Sequence, residues 1–200
     1  MPIAFPNSTT KDNLMRAFAG ESQARNRYTL AAEVARSQKL WCLEKLFLFT
    51  ADQELAHAAV FYQHLKELSG QNILVDGSYP VDISQSVDTL LRAAQKNEYE
   101  EHDSVYKSFG DIAQQEGFPQ VAASFFSIAA IEKAHGDRFG RFAAWLEQEQ
   151  LFTDPSPRSW MCGNCGHIHT GREAPWICPV CSHDRGYFLR LDETPFSGQS

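Results

Sequence analysis

Four segments between residues 8 and 148 have apolar residues at every third or fourth position, as on one face of an α-helix. Each segment also carries a glutamate where that face should meet the core. Burying an unpaired carboxylate is costly, so such a group pairs, takes up a proton or binds a metal ion. These glutamates are Glu21, Glu54, Glu98 and Glu132. The sequence therefore predicts a four-helix bundle with acidic groups in its core.

The spacing of the histidines narrows the chemistry. The sequence Glu-x-x-His occurs at 54–57 and again at 132–135, and residues three apart lie on the same helix face. One such pair from each of two helices, with Glu21 and Glu98 from the other two, is typical of di-iron or di-manganese sites in ferritin-like bundles. Carboxylate and imidazole ligands suit iron and manganese, and zinc is possible. His57 and His135 are therefore predicted ligands.

Glu101 is a fifth carboxylate on the stripe of Glu98. Four carboxylates balance two ferrous ions, and oxidation of both ions adds two positive charges. We therefore hypothesise that Glu101 binds preferentially in the oxidised state. The alternative is a buried ion-pair network, with Arg25 or Arg27 paired to Glu21, but two Glu-x-x-His pairs on core stripes have no packing advantage.

The C-terminal part carries a second cluster. Cys162-x-x-Cys165 is followed after 12 residues by Cys178-x-x-Cys181. Two such knuckles predict a tetrathiolate metal site, with a disulfide as the alternative. Tetrahedral sulfur fits either iron or zinc, and the spacing leaves the two open.

The remaining metal-ligand residue types are interpreted as structural. We expect Cys42 to be a small buried apolar residue. The other histidines are expected at the surface or in local hydrogen bonds: His64, His102, His167, His169 and His183.

Turn and cap signals organise the chain. Thr9 or Thr10 is expected to cap the first helix, and Asp82 with Gln85 the third. Residues 117–119 (Gly-Phe-Pro) separate the third and fourth helices. The segment 69–81 spans up to roughly 40 Å when extended, which suits a crossover along the bundle.

The sequence predicts a mostly α-helical domain at 1–150, a linker at 151–159, and a small β/turn metal-binding module at 160–200 with a tail that is frayed from Asp192. An aromatic core of Trp160, Trp176, Tyr187 and Phe188 is expected in that module.

Composition excludes several classes of protein. Hydrophobic residues make up 43% of 200 residues, which excludes wholesale disorder, and the net charge of −7 gives no basic footprint for nucleic acid or anionic lipid. No apolar run approaches the roughly 18 residues of a membrane span. The N-terminus lacks the pattern of a signal peptide. We therefore expect a cytoplasmic protein without nucleic-acid or membrane partners.

The two clusters, in this order, resemble the rubrerythrin family. The resemblance covers nearly the whole chain and is carried by Gly20–Tyr28, Glu54-x-x-His57, Glu98-x-x-Glu101, Glu132-x-x-His135 and the two cysteine knuckles. It implies a ferritin-like bundle followed by a rubredoxin-like module that holds one iron on four sulfurs.

The resemblance also implies a ligand set and an activity. The di-iron ligands fall on Glu21, Glu54, His57, Glu98, Glu101, Glu132 and His135. In the family one iron exchanges a glutamate for a histidine as its redox state changes, and these positions match Glu101 and His57. Tyr28 and Tyr106 match family tyrosines near the irons. The alternative interpretation is that both are core residues without a role at the site.

The implied activity is reduction of hydrogen peroxide to water by a cytoplasmic homodimer or higher homo-oligomer. The sequence contains no GxGxxG turn, so an external NAD(P)H-dependent reductase or a small electron-transfer protein is the expected donor. Two alternatives stay open: iron oxidation and storage like a ferritin, and a structural protein with zinc in both sites.

Overall fold

The computed structural model describes residues 3–195, and most of them are helical. The α-helices are α1 (Thr9–Ser37), α2 (Trp41–His64), α3 (Val87–Glu100), α4 (Tyr106–Glu116) and α5 (Pro119–Glu147). A π-helical turn, Glu101–Val105, joins α3 to α4, so these three segments form one long helix of the bundle. The predicted four-helix bundle is confirmed, with its third helix interrupted at Glu101.

Two apolar clusters fill the bundle, one toward each end. The first includes Tyr28, Phe47, Leu91 and Phe139. The second includes Leu14, Phe61, Tyr106, Val121 and Phe125. Along every helix the predicted ligands fall in the gap between the two clusters. The sequence thus places an acidic layer between two apolar blocks.

The crossover between α2 and α3 runs along α1, as its length predicts. Arg16 of α1 binds Asp76 at 2.6 Å, Arg27 binds Asp82 at 3.0 Å, and Gln38 donates to the carbonyl of Gln85 at 2.6 Å. Residues 16 to 38 of a helix span about 33 Å. The loop therefore covers most of the length of α1.

The capping predictions were wrong at two helix starts. Ser8, not Thr9 or Thr10, caps α1, since its hydroxyl accepts from the backbone N–H of Lys11 at 3.1 Å. Asp82 does not cap the third helix, because α3 begins only at Val87 and the Asp82 carboxylate is used by side chains of α1 and α3. Gly117 ends α4 in the left-handed conformation, with φ of 88°, as predicted.

The C-terminal module, residues 153–195, is a three-stranded antiparallel sheet. Its strands are β1 (Thr153–Cys162), β2 (Ile168–Glu173) and β3 (Phe188–Arg190), in the order β2-β1-β3. Residues 153–159, assigned to a linker from sequence, belong to β1, where Arg158 pairs with Gly171. The domain boundaries themselves stay a prediction.

The core of the C-terminal module contains Trp160 and Phe188, which are fully buried, and Tyr187 packs against it. Trp176 was assigned to this core wrongly. It is 73% exposed and its ring lies under the Arg185 guanidinium, 4.2 Å from the ring centroid.

The C-terminal module packs against the bundle at the α1–α2 turn. The rings of Trp41 and Tyr187 stack with centroids 5.0 Å apart, and Lys45 donates to the carbonyl of Gly163. The predicted fraying does not begin at Asp192, because Glu193 forms two hydrogen bonds with Arg141, at 2.9 and 3.0 Å. Residues 196–200 lie outside the described residues.

None of the helices within residues 3–195 is both long enough and apolar enough to cross a membrane.

Gly186 tests this packing, because a Cβ atom there would lie 1.9 Å from the backbone oxygen of Lys39. We expect Gly186→Ala to loosen the module from the bundle at a cost of about 1–3 kcal/mol. The measurement is the rate of limited proteolysis between residues 148 and 160.

Gly171→Ala is the matched control in the same module, since its Cβ atom would first meet only the side-chain end of His169. Equal cleavage rates in the two variants would show that Gly186 is not a packing constraint.

Candidate metal centres

The acidic layer brings six predicted ligands together at mid-bundle. The side chains are almost fully buried, at 7% exposure or less: Glu21, Glu54, His57, Glu98, Glu132 and His135. They come from α1, α2, α3 and α5, each of which directs its polar stripe inward at the level between the two apolar clusters.

These ligands form two groups that share two glutamates. The first group is Glu21, Glu54, His57 and Glu132, and its ligand atoms lie within 4.8 Å of one another. In the second group, Glu98 and His135 replace Glu21 and His57 at the same maximum separation. Two adjacent metal positions bridged by two carboxylates have this arrangement.

The shared glutamates each direct one oxygen toward each histidine. Glu132 Oε1 lies 2.9 Å from His57 Nδ1, and Glu132 Oε2 lies 2.9 Å from His135 Nδ1. Glu54 Oε2 lies 3.3 Å from His57 Nδ1, and Glu54 Oε1 lies 3.1 Å from His135 Nδ1. Both carboxylates thus span the gap between the two positions, as bridging ligands do.

Orphaned polar atoms test whether metal ions fit here. Within the described residues, several buried atoms of the layer have no hydrogen-bond partner: Glu21 Oε2, Glu54 Oε1, Glu98 Oε2, both oxygens of Glu132 and both ring nitrogens of His135. Leaving such atoms unpaired costs several kcal/mol. Carboxylate and imidazole donors around two adjacent positions suit two iron ions.

Without metal, the buried carboxyls hold protons. Burial raises the pKa of Glu98 to about 8, and the charge of Glu54 adds to that effect. Burial also raises the pKa of Glu21 and of Glu101 well above the usual range. These groups therefore stay largely protonated near neutral pH unless a cation replaces the protons.

The pKa values of the two histidines and of Glu54 shift in the directions that favour their charged forms. Burial lowers the pKa of His57, but the close carboxylates of Glu132, Glu21 and Glu54 outweigh burial and raise it to about 12. The same balance raises the pKa of His135 to about 11. Burial raises the pKa of Glu54, but the two nearby histidines outweigh burial and lower it to about 2. Two imidazolium cations thus balance part of the negative charge of the layer.

Glu101 belongs to neither ligand group in this structure. It lies in the π-helical turn and is partly buried. His57 contributes to the first group instead. The binding of Glu101 in the oxidised state stays a prediction.

Two buried tyrosines lie beside the acidic layer. Tyr106 donates its hydroxyl to Glu21 Oε1 at 2.5 Å, and Tyr28 donates to Glu98 Oε1. Burial raises the pKa of both phenols well above 10, so both keep their protons. Each hydroxyl orients a terminal carboxylate, and neither is free to donate elsewhere without giving up that bond.

The alternative ion-pair network is not formed by Arg27. Its guanidinium binds Asp82 at 3.0 Å instead of Glu21. Asn97 donates to the same Asp82 oxygen at 2.7 Å. This triad fixes the crossover loop beside Tyr28 and Glu98, and no sequence signal connects Asp82 to the layer.

The four predicted cysteines form the second centre. Their Sγ atoms lie within 4.8 Å of one another, and Cys162–Cys181 and Cys165–Cys178 are each 3.7 Å apart. A disulfide requires about 2.05 Å, so both pairs are free thiols. Metal–sulfur bonds of about 2.3 Å in a tetrahedron place sulfurs about 3.8 Å apart, so the site fits a tetrathiolate metal.

The two knuckles have matching backbones. Gly166 N–H donates to Cys162 O at 2.8 Å, and Ser182 N–H donates to Cys178 O at 2.9 Å. Gly166 and Ser182 both have positive φ, 78° and 59°. Cys165 is exposed, whereas Cys162 and Cys178 are buried.

Cys42 is buried as expected, whereas His64 and His102 bond distant segments and not local ones. Cys42 is buried and unpaired. His102 Nδ1 bonds the carbonyl of Ala129 at 2.7 Å, and His64 bonds Ser124 at 2.9 Å.

The metal-free protein should lose stability as pH rises from about 5 to 9. Raised pKa values at Glu98, His57 and His135 contribute stability that is present below the unfolded values, about 4.3 and 6.5, and is lost toward the folded values. Glu54 acts oppositely, but only as pH falls below about 4. Each retained proton contributes a slope of about 1.4 kcal/mol per pH unit.

Calorimetry of metal-free and metal-loaded protein across this range tests the expectation. The stabilisation by metal should grow with pH, because binding releases the protons. Glu98→Gln should flatten the slope of the metal-free form. If stability changed with pH equally in the metal-free and metal-loaded forms, these buried groups would not hold the protons that metal binding releases.

Tyr106→Phe removes the hydrogen-bond donor of Glu21 and should weaken iron binding by about 10–100-fold. Tyr62→Phe is the matched control, since Tyr62 is 58% exposed and distant from the layer. Iron titration followed by the charge-transfer spectrum gives the affinity. Unchanged affinity in Tyr106→Phe would show that this bond does not orient Glu21.

Comparisons with known proteins agree with both centres. A family model described as Rubrerythrin matches residues 12–143, and the rubredoxin-like domain of rubrerythrin matches residues 160–189. Rubrerythrin of Clostridium perfringens is 42% identical over 186 residues, which cover 92% of this chain and 95% of the relative.

Solved structures extend the likeness to the fold. Nigerythrin in its fully reduced, all-ferrous state is 28% identical, with a TM-score of 0.63 over 92% of this chain and 87% of that one. The bacterioferritin BfrA of Mycobacterium tuberculosis shares the fold at 19% identity, with a TM-score of 0.61 over 70% of this chain and 86% of that one. The chain therefore belongs to the rubrerythrin family, with a ferritin-like di-iron site and a rubredoxin-like iron site.

Proposed function

We propose that this protein reduces hydrogen peroxide to water with electrons relayed through its tetrathiolate centre. The supporting observation is that one chain carries both a buried dinuclear carboxylate site and a partly exposed tetrathiolate. Peroxide reduction takes up two electrons and two protons and yields two water molecules. A storage protein would have no use for the second centre.

When bound, two ferrous ions supply Lewis acidity and two electrons together, which avoids one-electron cleavage of the O–O bond. Glu54 and Glu132 hold the two positions at a fixed separation, because each carboxylate faces both histidines. The apolar clusters on either side exclude bulk water from the layer.

Protons for the reaction are held on this chain's own groups. Tyr28 and Tyr106 keep their hydroxyl protons through burial and direct them at Glu98 and Glu21. Glu101 is the ligand candidate that keeps partial solvent access, so it is the group through which protons from solvent reach the layer.

Electrons enter at the C-terminal module. Cys165 is exposed and Cys181 is partly exposed, whereas Cys162 and Cys178 are buried in the aromatic core. An external reductase or small electron-transfer protein therefore has an exposed sulfur edge at which to dock. A cytoplasmic location and a homo-oligomeric state stay predictions.

Rapid mixing of anaerobically reduced, iron-loaded protein with hydrogen peroxide tests the proposal. The visible band of the ferric tetrathiolate should return rapidly with peroxide and slowly with air-saturated buffer. The double variant Glu54→Ala/Glu132→Ala should lose the rapid phase, because both bridging ligands are gone.

Glu33→Ala/Glu67→Ala is the matched control, since both glutamates are exposed and outside the layer. An equally rapid return of the band in the bridging-ligand variant would exclude the di-iron route. A faster return with oxygen than with peroxide would contradict the choice of substrate.

A further inference from the structure

A cavity of about 570 Å³ lies between α1, the crossover loop and the π-helical turn. Its lining residues include Glu101, the fifth predicted ligand, and Tyr106, whose hydroxyl donates to Glu21. The cavity therefore borders the acidic layer at Glu101 and Tyr106.

Exposure distinguishes Glu101 from the other predicted ligands. The four other glutamates of the layer are 2% exposed or less, whereas Glu101 keeps a partly accessible side chain. A molecule that arrives from this cavity meets Glu101 first.

The cavity is much larger than hydrogen peroxide requires. A water molecule takes up about 30 Å³ of liquid, and peroxide adds one oxygen atom. Cavities of roughly 300–1,000 Å³ hold small organic ligands. The volume thus leaves room for a substituent beside the O–O group.

The lining suits an apolar substituent. Val105 and Phe109 come from the third helix, Ala17 from α1, and Tyr79 and Pro80 from the crossover loop. Polar and charged side chains also line the cavity, and they include Ser104, Ser108, Arg16, Lys96 and Glu100. An alkyl or aryl group placed against these apolar side chains gains about 25 cal/mol per Å² removed from water.

The loop wall is held in place by contacts with α1. Tyr79 donates its hydroxyl to the carbonyl of Arg16 at 2.9 Å, and Arg16 binds Asp76. The Tyr79 ring lies over Gly20, at 3.6 Å from the position of a Cβ atom there. These contacts therefore fix the crossover loop as one wall of the cavity.

We propose that this cavity admits organic hydroperoxides, R–OOH with a small apolar R group, as further substrates of the di-iron site. The inference rests on the proposed function. The O–O bond breaks, two electrons come from the external one-electron donor through the two iron centres, and two protons are taken up. The products are the alcohol R–OH and water.

Binding is tested without any metal. The probe is 2-phenyl-2-propanol, the alcohol product of cumene hydroperoxide, added to metal-free protein and detected by saturation-transfer NMR. Ser104→Phe places an aromatic ring at the rim and should abolish the transfer signal. Ser127→Phe is the matched control on α5, an exposed serine away from the cavity, and should leave the signal intact. Circular dichroism checks that both variants fold.

Turnover is tested by mixing reduced, iron-loaded protein with cumene hydroperoxide or hydrogen peroxide. We expect return of the tetrathiolate band with both oxidants. In Ser104→Phe the rate ratio of cumene hydroperoxide to hydrogen peroxide should fall at least tenfold, which is the scale of a lost apolar contact. Ser127→Phe should keep the original ratio.

The two proposals fail in different ways. Reoxidation by hydrogen peroxide alone, with no binding of the alcohol, would overturn the inference and leave the proposed function standing. Binding of the alcohol that Ser104→Phe does not affect would also overturn it. No reoxidation by either oxidant would overturn the proposed function and, with it, the organic substrate class.

Discussion

The structure depends on the burial of several carboxylates at one level of a helical bundle. A globular core of this size gains stability from apolar area, and each unpaired carboxylate in it opposes folding by several kcal/mol. The chain confines the conflict to one layer, with Leu14, Phe61 and Phe125 on one side and Phe47, Leu91 and Phe139 on the other. The two apolar clusters stabilise the folded bundle. Cations in the layer offset the free-energy cost of burying the carboxylates.

The same confinement places groups of opposite charge side by side in the layer. Glu54 and Glu132 each face both histidines, so protonated imidazoles occupy the places of the metal charges. Protons remain on the terminal carboxyls, where burial favours the neutral form. The carboxylate and imidazole donors of both groups are thus held close together by the helices that carry them. Preorganisation of this kind reduces the cost of binding.

Local sequence patterns predicted the features that depend on interactions between residues close together in the chain. Helical periodicity located the stripes, and the three-residue spacing of Glu and His placed both side chains on one face. The cysteine knuckles likewise fixed a tetrathiolate, because four thiols at that spacing have few other arrangements. What remained hidden depends on contacts between distant segments. Asp82 looked like a helix cap but binds Arg27 of α1, and Trp176 looked like a core residue but stacks on Arg185 at the surface.

The π-helical turn gives Glu101 a local setting that differs from that of the other predicted ligands. Its neighbour Glu98 lies in regular helix and is fixed by the hydroxyl of Tyr28, whereas no side-chain hydrogen bond to Glu101 is resolved within residues 3–195. A π turn inserts one residue and widens the helix locally, and such turns are frequent at functional sites. Glu101 also borders the cavity, so its carboxylate can move without displacing packed apolar side chains. Partial solvent exposure and the edge of the cavity therefore coincide at Glu101, whereas the six other predicted ligands are buried.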